Sequence, residues 1–236
     1  MKKLIIIFFL LFIKNTLSQN TLYVEYKVKI ANEDIFKENS NLRALFEKAM
    51  IDADNIKFGL ICKKDKSHYF HIDHIISKSD NNSFKTTSLI FAGYTGEIFN
   101  ENDSVYSKSN MLSNNTYVKK SNKINWIYTN EKKTIDGYEC YKATSEYLVE
   151  NPKGGYFHHP VTAWYCPKIP FSQGPRGYNG LPGLIIELQV RNVTYGVSLI
   201  DLNSTKDFEF NKKKIKIMNE VQYNEALDKI NDFKNE

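Results

Sequence analysis

The chain has 236 residues, with 32 lysine and arginine residues against 27 aspartate and glutamate residues, and three cysteines. This length suits one domain with a sizeable core. Three lysines lie in the first 18 residues, and the remainder is close to neutral, which excludes the concentrated basic footprint of a nucleic-acid-binding protein. Three cysteines are too few for a disulfide scaffold.

The N-terminus has the order of a secretory signal. Lys2 and Lys3 precede an apolar run from Leu4 to Ile13, and small and polar residues lead to Ser18. The alternative is a membrane anchor, but about ten apolar residues fall short of the roughly 20 that span a bilayer. We expect a signal peptide at residues 1–18 and one β-rich domain at 19–236. The mature protein would then be periplasmic or secreted, with no transmembrane anchor.

Alternating apolar residues predict a mainly β fold. The first such run is Thr21 to Ile30, where Leu22, Val24 and Val28 share one face of a strand. Clusters of serine and asparagine between the runs indicate turns. The further predicted strands before residue 130 are Ile56 to Cys62, Ser67 to Ile72, Phe84 to Phe91, Glu97 to Phe99, Thr116 to Lys119 and Asn125 to Tyr128.

Two segments have helical periodicity instead. A helix over residues 41–53 is predicted by apolar positions at i, i+3, i+4, i+7 and i+8, with Ser40 or Asn41 as its cap; these positions are Leu42, Leu45, Phe46, Ala49 and Met50. Residues 221–233 predict a C-terminal helix. The resulting fold class is a curved antiparallel sheet with two helices, and an open half-barrel is the form that we favour.

A hairpin is predicted between Tyr138 to Val149 and Val161 to Pro167, with a turn at residues 151–155. The symmetric register places Tyr141 opposite Tyr165, Lys142 opposite Trp164 and Ala143 opposite Ala163. It also places Cys140 opposite Cys166, where a disulfide can form and leave Cys62 unpaired. The alternative is three buried thiols, with a bulge in the turn that shifts the register.

All six prolines lie between residues 152 and 182, which predicts a structured surface loop rather than a flexible linker, because aromatic residues are interspersed. The segment Leu181 to Leu184 has proline and glycine at the centre of a predicted type II turn. Strands 186–190 and 193–199 follow. The turn is either a fold signature or part of a concavity that offers amides to a ligand; the glycines of that concavity would be Gly174, Gly177, Gly180 and Gly183.

Several motifs stand in a fixed order around this turn. They are Lys133 to Cys140, Ala163 to Tyr165, Ile169-Pro170, Gly174-Pro175, and the hexamer Gly180, Leu181, Pro182, Gly183, Leu184, Ile185. This order resembles the GLPGLI family, secreted or periplasmic proteins of Bacteroidetes-type bacteria, over Trp126 to Leu188. The family has no established activity, so the resemblance implies an exported β domain without implying a reaction.

One group of residues has the chemistry of metal ligands. His68, His71 and His74 are three residues apart, and Asp73 lies between the last two; imidazole and carboxylate together suit zinc or copper. On a strand, however, His71 points away from the other two histidines. Exposed histidines at a strand end are therefore the favoured interpretation, and a metal site is the alternative.

Motifs for nucleophilic catalysis, phosphate binding and dinucleotide binding are missing from the sequence. We therefore expect no cofactor and favour a non-catalytic domain that binds a small ligand or an envelope protein. A structural or assembly factor of the envelope is the second hypothesis, and a metal-binding protein or an unrecognised hydrolase is the third. Among the aromatic residues, Trp126 and Tyr165 are predicted to be core, whereas Tyr156, Phe157 and Tyr178 could contact a ligand.

Overall fold

A computed structural model describes residues 21–33, 40–72, 82–109, 111–113, 115–151 and 154–235. Twelve strands lie in these ranges and form one sheet. The strands are β1 (Thr21–Ile30), β2 (Lys57–Lys63), β3 (Lys66–His71), β4 (Ile98–Glu101), β5 (Ser104–Lys108), β6 (Thr116–Ser121), β7 (Ile127–Ile135), β8 (Tyr138–Glu150), β9 (Tyr156–Cys166), β10 (Leu184–Val190), β11 (Val193–Ser204) and β12 (Lys216–Asn219).

The sheet is open, with the strand order β12-β6-β5-β4-β3-β2-β1-β11-β10-β9-β8-β7. Neighbouring strands are antiparallel except β12, which runs parallel to β6. The edge strands β12 and β7 do not pair with each other, so the sheet is not closed into a barrel. The predicted mainly β class and open antiparallel sheet are confirmed.

The main core lies on one face of this sheet. On β1 the predicted alternation is confirmed, since Leu22, Val24, Tyr26 and Val28 are buried while Lys27 and Lys29 are exposed. The same face continues through the centres of β2, β10 and β11, which lie beside β1. Burial on this face supplies the apolar contact that a single sheet needs for stability.

The described residues also contain three α-helices: α1 (Ser40–Asp52), α2 (Asn82–Phe91) and α3 (Glu220–Asn235). Helix α1 and the C-terminal helix α3 confirm the predictions. Helix α1 buries Phe46 and Ala49 as expected, whereas Leu42 and Leu45 keep 44% and 43% of their surface exposed. Within these ranges, no helix combines the length and apolarity needed to cross a bilayer.

Helix α2 corrects the predicted strand at Phe84 to Phe91. Ser88 and Ala92 are both buried one turn apart, and the Phe91 ring meets the Phe46 ring of α1 edge to face at 5.3 Å. The buried face of α2 therefore includes a serine, which hides the helical period from a count of apolar residues. Its threonine, isoleucine and phenylalanine residues favour strands intrinsically, but packing against α1 outweighs that preference.

The hairpin of β8 and β9 has the predicted register. Tyr141 pairs with Tyr165, Lys142 with Trp164 and Ala143 with Ala163. Strand β9 begins at Tyr156, five residues before the predicted start, because residues 156–160 still pair with β8. Pro160 fits within β9 because the pairing of β10 with β9 ends at Val161. The N–H that Pro160 lacks therefore removes no hydrogen bond between these strands.

A second, smaller core lies beside β4, β5 and β6. It contains Phe99, Tyr106 and Tyr117, and Phe208 and Phe210 from the segment after β11 pack on it. The rings of Phe99 and Phe210 are stacked at 4.3 Å. This packing fixes the chain between β11 and β12 against the sheet.

Candidate functional site

The segment between β9 and β10 carries the GLPGLI hexamer and turns more tightly than predicted. The Gly183 N–H donates to the Leu181 carbonyl oxygen at 2.8 Å, which is a three-residue turn about Pro182. In a type II turn the Leu184 N–H would close the turn on Leu181. It instead donates to the carbonyl oxygen of Ile169 at 3.0 Å, because the segment before the turn lies alongside as a partner.

Gly183 occupies a position that only glycine fits. Its φ is 155°, and a β-carbon there would lie 2.5 Å from the carbonyl carbon of Cys166 and 2.8 Å from the Cα of Pro167. Atoms without a bond do not approach so closely. The glycine lets the turn pass directly over the end of β9, which places β10 beside it.

The hexamer is largely part of the core. Leu181, Leu184 and Ile185 are buried, and the Ile185 carbonyl oxygen accepts a 2.7 Å hydrogen bond from the Tyr26 hydroxyl of β1. The Gly180 amide donates to the Ser172 carbonyl oxygen, so the amides of Gly180 and Gly183 are both used within the protein. These bonds favour the fold-signature interpretation over an amide concavity.

A polar cleft of about 740 Å³ lies next to this loop. Four separate parts of the chain form it: the β2–β3 turn, the β4–β5 turn, the segment after β6, and the loop between Ser172 and Gly180. Amide and hydroxyl side chains dominate, and two lysines balance two aspartates. The lining residues are Lys64, Asp65, Asn100, Asn102, Asp103, Ser121, Asn122, Lys123, Ile124, Ser172, Gln173, Asn179 and Gly180.

Two lining residues hold buried side-chain oxygens without a hydrogen-bond partner. They are Asn100 Oδ1 and Gln173 Oε1. The Asn100 amide nitrogen donates to Ser67 Oγ at 3.1 Å, whereas the Gln173 side-chain oxygen has no partner among the described residues. Gln173 keeps only 5% of its surface exposed. Leaving such a group unpaired is costly, so a partner from outside the protein would be favourable there.

The aromatic residues named from the sequence differ in how deeply they are buried. Tyr165 is buried as predicted, and Trp126 is partly buried beside the cleft, where its indole N–H donates to the Asn179 carbonyl oxygen at 2.8 Å. Tyr178 is partly buried 6.1 Å from Trp126. Tyr156 and Phe157 are exposed at the hairpin tip, away from the cleft lining.

The histidines do not meet at one point. His68 stacks on Phe99 at 4.1 Å and bonds Glu97 at 2.9 Å, whereas His71, on the other face of β3, packs beside the rings of Phe58 and Tyr94. Among the described residues, no group of three histidine, cysteine or acidic residues could hold a metal ion. Asp73 and His74 lie outside the described residues, so the metal site stays a prediction.

The three cysteines are buried, unbonded thiols in this structure. The Cys140 thiol donates to the Tyr138 carbonyl oxygen at 3.4 Å. Burial, followed by the nearby Cys166, raises the pKa of Cys140 to about 11, and burial also raises the pKa of Cys62. The β8–β9 register that a Cys140–Cys166 bond requires is present, and the bond itself stays a prediction.

Sequence reasoning did not identify the cleft residues. Most of them lie in or next to turns rich in asparagine, aspartate, lysine and serine, a composition that is typical of any surface turn. The missing signal is spatial, because the cleft combines segments that are more than 100 residues apart along the chain. The sequence points only to Gly180, as part of the hexamer, and to the neighbouring Trp126, as a core residue.

Comparison with known proteins gives a family match over part of the chain and matches to solved structures. Residues 153–187, which include the hexamer, match a family described as "Protein of unknown function (Porph_ging)". This match supports a Bacteroidetes-type family and does not extend to the whole resemblance described above. No curated protein matches the chain.

Two solved structures described as PNGF-II have a similar fold. The crystal form in space group P21 is 14% identical with a TM-score of 0.53, and it matches 88% of this chain and 33% of that chain. The C2 form is 16% identical with a TM-score of 0.51, and it matches 87% of this chain and 32% of that chain. The chain thus spans about a third of these solved chains. At this identity the likeness shows the fold alone.

Proposed function

We propose that this protein is an exported, non-catalytic binding protein that takes a neutral, hydroxyl-rich ligand, a short oligosaccharide, in the polar cleft. The observation that carries the proposal is Gln173, a buried side chain whose amide oxygen has no partner among the described residues, in a cleft large enough for several sugar rings. Ordered water would satisfy it in the empty protein, and a ligand hydroxyl would satisfy it in the complex.

The charge and hydrogen-bonding chemistry of the cleft support this ligand class. Lys64 and Lys123 balance Asp65 and Asp103, so the lining does not select a charged ligand. Amide side chains both donate and accept hydrogen bonds, as sugar hydroxyls do. The Trp126 indole N–H donates to the Asn179 carbonyl oxygen beside Gly180 and so helps to fix this part of the lining.

The non-catalytic part of the proposal rests on the sequence, which lacks the motifs of nucleophilic catalysis. Because the lining includes Asp65 and Asp103, and glycosidases use carboxylates in pairs, the test of the proposal also measures hydrolysis. Export is supported by the N-terminal pattern of lysines followed by an apolar run, and by the resemblance to an exported family.

Calorimetric titration of the mature protein with maltotriose, cellotriose and chitotriose tests the proposal. We expect saturable binding of at least one of them. Gln173→Met should abolish binding while leaving the free energy of unfolding unchanged or about 1 kcal/mol higher, because an apolar side chain of similar shape has no unmet hydrogen bond. The matched control is Gln189→Met, since Gln189 is exposed on β10 and bonds the Arg191 carbonyl oxygen outside the cleft.

Three results would contradict the proposal. Failure of all three sugars to bind would exclude the ligand class. Binding that survives Gln173→Met would place the ligand elsewhere. Release of new reducing ends during incubation would show catalysis rather than binding alone.

An assembly factor that binds an envelope protein is the second candidate, and one observation favours it. The tip of the β8–β9 hairpin exposes Tyr147, Leu148, Tyr156 and Phe157, each with 40% or more of its surface accessible. Tyr147 and Phe157 share one face of the hairpin and Leu148 and Tyr156 the other, and exposed apolar side chains at such a tip are typical of protein contact surfaces. Leu148→Ser with Phe157→Ser should abolish capture of an envelope protein if this candidate is correct, and should leave sugar binding unchanged.

A further inference from the structure

Arg176 differs from the other arginines in the chain. It lies in the loop before the hexamer and is partly buried. Arg43 pairs with Glu47 at 2.7 Å and Arg191 pairs with Glu33 at 2.8 Å. Among the described residues, no carboxylate lies within ion-pair distance of Arg176. Since arginine does not lose its proton in proteins, this cation has no counter-charge among the described residues.

The surroundings of Arg176 are tyrosines drawn from distant strands. Its guanidinium lies 5.9 Å from the ring centre of Tyr195 on β11 and 6.0 Å from that of Tyr147 on β8. Burial opposes the charge, but the phenol groups of Tyr195, Tyr178 and Tyr69 outweigh burial and raise the pKa of Arg176. The guanidinium thus lies where three separate parts of the sheet and the loop converge.

The guanidinium is hydrogen-bonded to the Tyr195 hydroxyl and packs closely against the backbone after α2. A β-carbon at Gly93, just after α2, would lie 2.9 Å from the Arg176 Cζ atom, so the glycine admits the guanidinium closely. The Tyr195 hydroxyl donates to the Ala92 carbonyl oxygen and helps to fix this arrangement. The guanidinium plane is therefore held between protein groups.

Tyr69 supplies a second, independent observation. Its side chain is 1% exposed, and its hydroxyl has no hydrogen-bond partner among the described residues. The hydroxyl is near enough to Arg176 for the guanidinium to lower its pKa, although burial and the neighbouring Tyr195 raise that pKa more. Within the part of the chain that the structure describes, Arg176 thus has no anion, and the buried Tyr69 hydroxyl of the same cluster has no acceptor.

We propose that Arg176 and Tyr69 form a binding site for a single carboxylate group of a small organic acid. The planar fork of a guanidinium matches the two oxygens of a carboxylate, and the phenol hydroxyl can donate to either oxygen. One positive charge balances one carboxylate, whereas a doubly charged phosphate would leave an unbalanced negative charge among phenol rings. The rings themselves suit an apolar portion of the acid.

The backbone at Arg176 agrees with a ligand-binding role. Its φ is 57° and its ψ is 22°, a left-handed conformation that glycine and asparagine adopt more readily than arginine. A loop with only a structural role would be more stable with glycine or asparagine at this position. This site is separate from the polar cleft, because Arg176 is not a lining residue of the cleft, and its test does not depend on the proposed oligosaccharide.

Titration of the mature protein with acetate, butyrate and benzoate, followed by NMR or calorimetry in a buffer without other anions, tests the proposal. We expect saturable binding that strengthens with the apolar portion of the acid and exceeds binding of phosphate or sulfate at least tenfold. Arg176→Asn should abolish it while fitting the left-handed backbone. Tyr69→Phe should weaken it several-fold without changing the backbone. Arg43→Gln removes the same charge from α1 and should leave it unchanged.

Thermal unfolding separates this role from a structural one. Benzoate should raise the unfolding midpoint of the unsubstituted protein and not that of Arg176→Asn. Failure of every carboxylate to bind would overturn the proposal, as would equal affinity for phosphate or equal binding by Arg176→Asn. If Arg176→Asn does not fold, the variants Tyr69→Phe and Arg176→Lys test the proposal instead. Unchanged affinity for benzoate in both variants would overturn the proposal.

Discussion

The backbone of Gly183 packs directly on the carbonyl group of Cys166, so that a β-carbon at residue 183 would lie 2.5 Å from the Cys166 carbonyl carbon. Gly183→Ala should therefore destabilise the protein by about 2 kcal/mol or more, and Gly183→Val by more, because backbone atoms must move. Urea unfolding measures the change. Gly196→Ala is the control, since a β-carbon there meets no atom within 4 Å. Equal stabilities of the two alanine variants would contradict this packing.

We expect Cys140 and Cys166 to form a disulfide in the exported protein. The confirmed pairing of Tyr141 with Tyr165 brings the two cysteines to adjacent positions at the end of the hairpin. The bond would close a loop of about 26 residues, worth roughly 3 to 4 kcal/mol in the chain-entropy model. Mass spectrometry of unreduced peptides measures the linkage. A peptide linked through Cys62, or three alkylatable thiols, would exclude the pair.

Glu97 should make the stability depend on pH in the acid range. Hydrogen bonds from His68 at 2.9 Å, Tyr117 at 2.8 Å and Lys108 at 3.0 Å surround its carboxylate. The bond from His68 contributes most and, with the other two, holds the pKa of Glu97 at about 2, below the ordinary value of 4.5, although burial opposes this. Because the folded pKa is the lower one, the stabilisation is complete above about pH 4.5 and is lost as the pH falls toward 2.

Glu97→Gln measures this contribution. Since the carboxylate is partly exposed, screening reduces its contribution to about 1 to 2 kcal/mol. The variant should be less stable by that amount at pH 7 and should lose less stability than the unsubstituted protein between pH 5 and pH 3. Urea unfolding across that range gives both quantities. Glu209→Gln, on the exposed segment after β11, controls for the change of charge; an identical pH profile for both variants would refute the prediction.

Export should leave a mature N-terminus at or within two residues of Gln19. The expectation follows from the charged, apolar and small-residue order of residues 1–18. N-terminal sequencing of the protein from its native host measures the cleavage point, and fractionation measures its location. A cytoplasmic protein that retains Met1 would contradict the prediction.

Sequence reasoning succeeded where the information is local. The register of β8 and β9 follows from cysteines and aromatic residues spaced symmetrically about one turn, and the structure has that register from Tyr141 to Glu150. The prediction was wrong at α2, where contact between Phe91 and Phe46 determines the structure. That contact joins elements about 45 residues apart, and a strand-favouring composition gives no sign of it.

The candidate sites could not be predicted for a related reason. The polar cleft combines four turns from distant parts of the chain, and its turn residues look ordinary one at a time. Arg176 acquires its significance only because strands β3, β8 and β11 bring tyrosines to it. The Pro-Gly loop was correctly predicted to be structured, but the partners of its side chains depend on the order of strands in the sheet.

The two edges of the open sheet end in different ways, and this difference bears on how the protein avoids aggregation. At one edge the four-residue β12 covers β6, and α3 follows it at once, with Glu220 paired to Lys120 at 2.7 Å. At the other edge β7 is irregular between Tyr128 and Lys132. A short strand beside a helix and an irregular strand with lysines are both poor templates for a strand of another molecule. Both edges of the open sheet therefore disfavour strand pairing between two copies of the protein.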